Sequence, residues 1–281
     1  MRRHPKPLGR MVLLLGLALL WLLCSGSAQA SSISDRLDAF PNWSGKPTLP
    51  APRGDLYYPD WFLGDWQVVT RLTAMAAPLA PELVTPGYES NQAYLEQPIS
   101  FRARFIQPDP VSAFQTLGRS RSGVNLPGQS PEIIADRAFN GLNLANAYLG
   151  EGVVQRVTVD ASQPNRQITD LGDNRQLIST ITARDSEAVG SDRFLTTEVF
   201  QQEFRGSAQL YLNEVETTTG YRRLMPLDPS QPMITADQVT AVYLSPQDPD
   251  YFKTQASLLG PSRPVALYRY QLEFFPLDRS G

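Results

Sequence analysis

The chain has 281 residues, of which 42% are hydrophobic and 19% charged, with a formal net charge of −3, a globular composition. Its only histidine, His4, and its only cysteine, Cys24, both lie in the first 24 residues. Beyond them there is no imidazole or thiol, which excludes a Ser-His-Asp triad, a Cys nucleophile, a disulfide framework, a His/Cys zinc site and His or Cys ligation of haem or iron–sulfur groups.

Residues 1–10 carry Arg2, Arg3, Lys6 and Arg10 and no acid. The apolar run MVLLLGLALLWLLC follows over residues 11–24, then SGSAQA. A basic start, a short apolar stretch and Ala28-Gln29-Ala30 predict a signal peptide over 1–30 with cleavage after Ala30. The apolar run is short for a spanning helix, which needs about 20 residues. Cleavage would remove four of the 25 basic residues and no acid, leaving 21 against 28 and a net charge of −7. The remaining arginines are scattered rather than clustered, so no nucleic-acid surface is expected.

Residues 31–63 are proline-rich and predict an extended N-terminal arm that lies on the body through Phe40, Trp43, Tyr57 and Tyr58. Gly64-Asp65-Trp66 opens the first strand, DWQVVTRLT (65–73). Residues 74–97 form a long apolar connection, read as a lid. In PISFRARFI (98–106), Ile99, Phe101, Ala103 and Phe105 face one side, and Ser100, Arg102 and Arg104 the other. A helix is predicted over about 131–149, with Ser130 as its N-cap and Gly150 past its end. Asn140, Asn143 and Asn146 form a polar stripe on it.

Further strands are predicted over 153–160, 166–171, 175–184, 193–204, 208–219, 237–245 and 265–275, with Gln163-Pro164-Asn165 among the turns between them. About nine strands predict a mainly β fold: one domain over 64–281, an antiparallel, closed barrel of about 8–10 strands with one inserted helix.

The Gly64-x-Trp66 start resembles the first signature of lipocalins and the wider calycin barrels. That resemblance implies a Trp66 plugging one barrel end, a Gly64 allowing close approach of the chain, and an arginine of the last strand, here Arg269, across the indole. If Arg269 points inward, so do Leu267, Gln271, Glu273 and Phe275, which makes the lumen partly polar and leaves the more apolar Tyr268, Tyr270, Leu272 and Phe274 outside; the opposite parity breaks the analogy. A second resemblance covers nearly all of the chain after residue 30. FPNW, GDLYYPDWFLGDW, APLAPELVTPGYESN, DRAFNGLNLANAYLG, YLNEVETTTGYR and SPQDPDYF with RPVALYRYQLEF are similar to an uncharacterised exported family of cyanobacteria and plant plastids. It implies a thylakoid-lumenal or periplasmic home and supplies no catalytic residues.

Functional expectations follow from a closed sheet. Phe101, Phe105 and Phe200 would line a lumen, with Leu83 and Tyr88 of the 74–97 segment over its mouth. The first reading is a non-enzymatic protein binding an apolar or amphipathic small molecule such as a pigment, quinone or lipid. The second is an accessory factor contacting a photosynthetic membrane protein complex, with a filled barrel. The third is an enzyme using Asp, Glu, Tyr or Arg; Glu198, Glu203, Glu214 and Glu216 are acids on strands, but nothing identifies a catalytic pair. Asp248 and Asp250 lack the further ligands a calcium loop needs. No catalytic residue, metal ligand or cofactor is assigned.

Overall fold

The computed structural model describes residues 33–83, 85, 87–108, 132–206, 211–228, 230–255 and 260–277. The signal peptide expected over 1–30 lies outside the described residues, as do Ser130 and Pro131. Ile33–Gly281 is one compact unit.

Among the described residues ten antiparallel strands form a single sheet: β1 (Gly64–Ala76), β2 (Pro98–Ile106), β3 (Ile134–Ala135), β4 (Arg156–Asp160), β5 (Gln163–Asp170), β6 (Gln176–Val189), β7 (Arg193–Arg205), β8 (Tyr211–Arg223), β9 (Ile234–Leu244) and β10 (Ala266–Leu277). Their order across the sheet is β3-β2-β1-β10-β9-β8-β7-β6-β5-β4. The short helices α1 (Ile33–Asp38) and α2 (Tyr88–Asn91) and the longer α3 (Arg137–Leu149) complete the main elements. Among the described residues no helix is long and apolar enough to cross a membrane.

The sheet curls into an open half-barrel rather than the closed barrel expected. Among the described residues its ladder runs from β3 to β4 without joining them. Helix α3 packs instead against β2 near one edge and against β4 and β5 at the other. The edge strand β3 has only two residues, paired as Phe105 with Ala135 and Ile106 with Ile134, and then gives way to the helix. Closure through β3 would require backbone groups that α3 already uses internally.

The helix is shorter than the predicted 131–149. Asp136 is the N-cap, and its carboxylate accepts from the Phe139 N–H at 3.1 Å. Ile133, just before β3, bridges Tyr58. Pairing with extended neighbours therefore prevails over helix continuation until an acidic cap is available. At β5 the strand takes in Gln163-Pro164-Asn165, predicted as a turn; the chain reverses at Ala161-Ser162, with Asp160 accepting from the Ser162 N–H at 2.9 Å.

Alternation along the strands divides the core between the two faces. On the concave side Trp66, Val68, Phe105, Phe194, Ile234 and Phe274 pack with Leu56 and Phe62 of the arm. On the convex side Leu195, Val239, Ala241, Tyr243 and Leu267 are covered by Ile33, Leu37 and Trp43. The arm thus belongs to both cores. It leaves the convex face past Lys46, its Pro50 carbonyl accepts from the Arg184 N–H at 3.0 Å beyond the β5–β6 pairing, and it reaches the concave side at Leu56. Gly220 lets α1 dock closely: a Cβ there would lie 2.9 Å from Leu37 Cδ1.

Candidate functional site

The concave face, α3 and the inner part of the arm line a partly open cavity of about 410 Å3. Phe101 and Phe105 reach it from β2, Phe200 from β7, and Leu272 and Phe274 from β10. They share a face because β1 places Val68 opposite both Phe101 and Phe274. Leu83 and Tyr88 are not part of this wall. Leu83 packs with Leu79, Leu244 and Val265. Tyr88 lies 5.9 Å, ring to ring, from Tyr268. Among its described residues the 74–97 segment, whose first residues continue β1 to Ala76, contributes none to the lining. Its Glu96 N–H donates to the Leu72 carbonyl at 2.8 Å, and Tyr94 meets Tyr148 of α3 at 5.8 Å.

The cavity also has a polar pole. Arg184 donates to Glu198 Oε1 at 2.6 Å, to the Gly54 carbonyl at 2.8 Å and to Asn165 Oδ1 at 3.4 Å. Arg137, the first residue of α3, donates through Nη1 to the Pro164 carbonyl. Asp55, Asn140, Gln167 and Gln202 complete this side. Burial holds the Arg137 guanidinium below its usual range: the charges of Glu198 and Asp55 oppose that shift and Arg184 adds to it. Burial also pushes the Tyr58 hydroxyl well up, and the Tyr221 hydroxyl up to about 12.

The asparagine stripe has a docking role. Asn140 Oδ1 accepts from the Arg104 N–H at 2.7 Å, and its Nδ2 donates to the Arg104 carbonyl at 3.1 Å. One side-chain amide thus satisfies both backbone groups of Arg104 and ties α3 to β2. Asn143 donates to the Phe139 carbonyl within its own helix at 2.9 Å. Asn146 Oδ1 is buried without a hydrogen-bond partner among the described residues.

Trp66 is buried and donates to the Phe62 carbonyl at 2.7 Å. Gly64 has φ +132°, and a Cβ there would meet nothing within 4 Å, so glycine serves the backbone conformation rather than close approach. Arg269 lies on the convex face, ion-paired to Asp237 and 5.7 Å from the Phe40 ring. It sits opposite Ala74, while Trp66 sits opposite Pro276 near the other end of the β1–β10 ladder. It therefore does not cross the indole as the lipocalin resemblance implies; Tyr268, Tyr270, Leu272 and Phe274 hold the concave parity instead.

A second polar cluster lies under the arm on the convex face, and sequence reasoning did not bring it together. Glu216 is fully buried and takes both Nε and Nη2 of Arg36, the latter at 2.5 Å. Tyr243 OH donates to its Oε2 at 2.7 Å and Thr218 Oγ1 to its Oε1 at 2.9 Å. Trp43 Nε1 donates to Tyr243 OH at 2.9 Å, and the Arg36 guanidinium lies 4.3 Å from the Trp43 ring centre. A hollow of about 500 Å3 opens beside α1. Charges around it pair across strands, Arg71 with Glu273 at 3.2 Å and Asp237 with Arg269.

Other acids have local roles. Glu203 pairs with Arg205, Glu214 with Lys46, and Asp248 accepts from the Asp250 N–H. Among the described residues no cluster of three or more His, Cys, Asp or Glu side chains is arranged to hold a metal ion.

No curated protein and no solved structure matches the chain. A family model, described as a domain of unknown function (DUF6816), matches residues 50–278, a span that takes in the inner arm, all ten strands and α3. With that match extending over most of its length, the chain belongs to the DUF6816 family.

Proposed function

We propose that this is an exported, non-enzymatic protein that binds an apolar or amphipathic small molecule in the concave-face cavity. The observation that carries the reading is a hollow of about 410 Å3 walled by phenylalanines and facing a polar pole. Ligand sites of this kind combine apolar walls with a few placed polar groups, in volumes of about 300–1,000 Å3. At about 30 Å3 per water-sized group, the space holds roughly fourteen such groups. That favours a single-chain lipid or the head of a quinone over a whole pigment. The leader-like residues 1–30 and the family resemblance support a lumenal or periplasmic address.

The test uses the chain from Ser31 onward and 1-aminoanthracene, a neutral fluorescent probe of suitable size. Saturable one-to-one binding is expected. Phe200→Trp, which fills the cavity, should weaken it at least tenfold, while Phe252→Ser, at a side chain 76% exposed and outside the cavity, should leave it unchanged. Absence of binding, or equal binding by both variants, overturns the reading. The accessory-factor reading has its own support in Met225 and Leu227, 82% and 103% exposed on the β8–β9 connection. Apolar side chains presented in this way suit contact with a protein complex.

A further inference from the structure

We infer that the cavity selects ligands with a carboxylate head, held by Arg137, and an aliphatic tail of about ten to twelve carbons lying on Phe101, Phe105 and Phe200. This rests on the binding function proposed above.

The geometry distinguishes the two cavity arginines. Arg184 is occupied: Glu198 takes its Nε, the Gly54 carbonyl its Nη1, and Asn165 its Nη2. Arg137 is half-buried and makes only the Pro164 contact among the described residues. It takes part in none of the ion pairs formed there. A guanidinium carries five N–H donors in a planar fork suited to two carboxylate oxygens. One carbonyl uses one donor and supplies no negative charge.

Glu198 on β7 is committed to Arg184 on β6. Asp55 on the arm lines the cavity, and its charge acts on both Arg137 and the exposed Tyr57. These four groups sum to zero, and a bound carboxylate would supply the close partner that Arg137 lacks. The depressed pKa of Arg137 agrees with a cation whose burial is incompletely compensated. The wall is apolar at Phe101 and Phe105 on β2 and at Leu272 and Phe274 on β10, which suits a tail, while on β7 Phe200 lies between Glu198 and Gln202.

The test measures displacement of 1-aminoanthracene by dodecanoate, dodecanol and dodecylamine. Dodecanoate should bind at least tenfold more tightly than either of the others. Arg137→Gln should cost dodecanoate about 10–100-fold, the range for a hydrogen bond to a charged group, and leave the neutral probe unaffected. Asp55→Asn removes a competing carboxylate and should tighten dodecanoate binding, so it gives an independent sign should the Arg137 variant not fold. Equal displacement by all three compounds, with neither variant altering dodecanoate, overturns the head-group inference and leaves the cavity reading standing. Failure of 1-aminoanthracene itself to bind overturns both.

Discussion

The two faces of the sheet use the same chemistry to different ends. Under the arm, Glu216 receives two contacts from Arg36 and one each from Trp43, Tyr243 and Thr218, all from the chain itself. Burial alone would lower the Arg36 pKa, but the Glu216 hydrogen bond and charge raise it overall. In the concave cavity Arg184 has comparable partners, whereas Arg137 has one carbonyl. The convex cluster is a finished lock, and the concave one keeps hydrogen-bonding capacity unspent. A charged cluster therefore points to binding when its own chain leaves donors unused, not merely because it is buried.

Removing Arg36 should break the convex lock with the largest effect. Arg36→Met leaves the Glu216 carboxylate fully buried without its cation, and removing one partner of a buried pair costs about 3–5 kcal/mol. Urea unfolding, with Trp43 fluorescence reporting the arm, measures the loss. A change below about 1 kcal/mol would show that Leu37 and Trp43 hold the arm without the Arg36–Glu216 pair.

On the concave side, Asn140→Leu should detach α3 from β2. The Arg104 N–H loses its partner, while its carbonyl keeps the Asp136 N–H at 3.0 Å, an expected cost of about 1–3 kcal/mol. Amide exchange at Arg104 should accelerate while exchange at Tyr243 stays slow. Equal acceleration at both would show that the two faces open as one unit.

The smallest effect sharpens the contrast through pH. Tyr221 lines the cavity, and burial raises its hydroxyl from the ordinary 10.0 to about 12. Between those values the folded chain keeps a proton that the unfolded chain has released. This contribution is intact below about pH 10 and is lost as pH rises toward 12, at no more than about 1.4 kcal/mol per pH unit. Tyr221→Phe should make the alkaline fall in the urea midpoint shallower. An unchanged slope between pH 9 and pH 11.5 would assign the titration to other tyrosines.

The strands were legible because alternation survives in a sequence. All nine predicted strands occur, and Phe101, Phe105 and Phe200 do face one cavity. Strand β3 was missed because two residues carry no period. The helix start was misplaced because Ser130-Pro131 and Asp136 both offer start signals, and β pairing at Ile133–Ala135 selects the later one. Leu83 and Tyr88 were misassigned because apolar content says that a loop packs, not where. The polar pole was least legible. Glu198 shares strand parity with Phe194 and Phe200, a charge on an apolar face, but only the fold brings Arg184 and Arg137 to it.

Strand β10 pairs with β9 on one side and β1 on the other, although β1 precedes it by some two hundred residues. During synthesis, β4 to β9 can assemble as a meander of sequential hairpins as each strand is made. The β1–β2 ribbon has no place in that meander until residues 266–277 exist. Until then β9 presents an unsatisfied edge, and the apolar face of β1 has no neighbour on that side. Completion of the sheet is therefore a single late event of high contact order, governed by twelve residues that join its two halves.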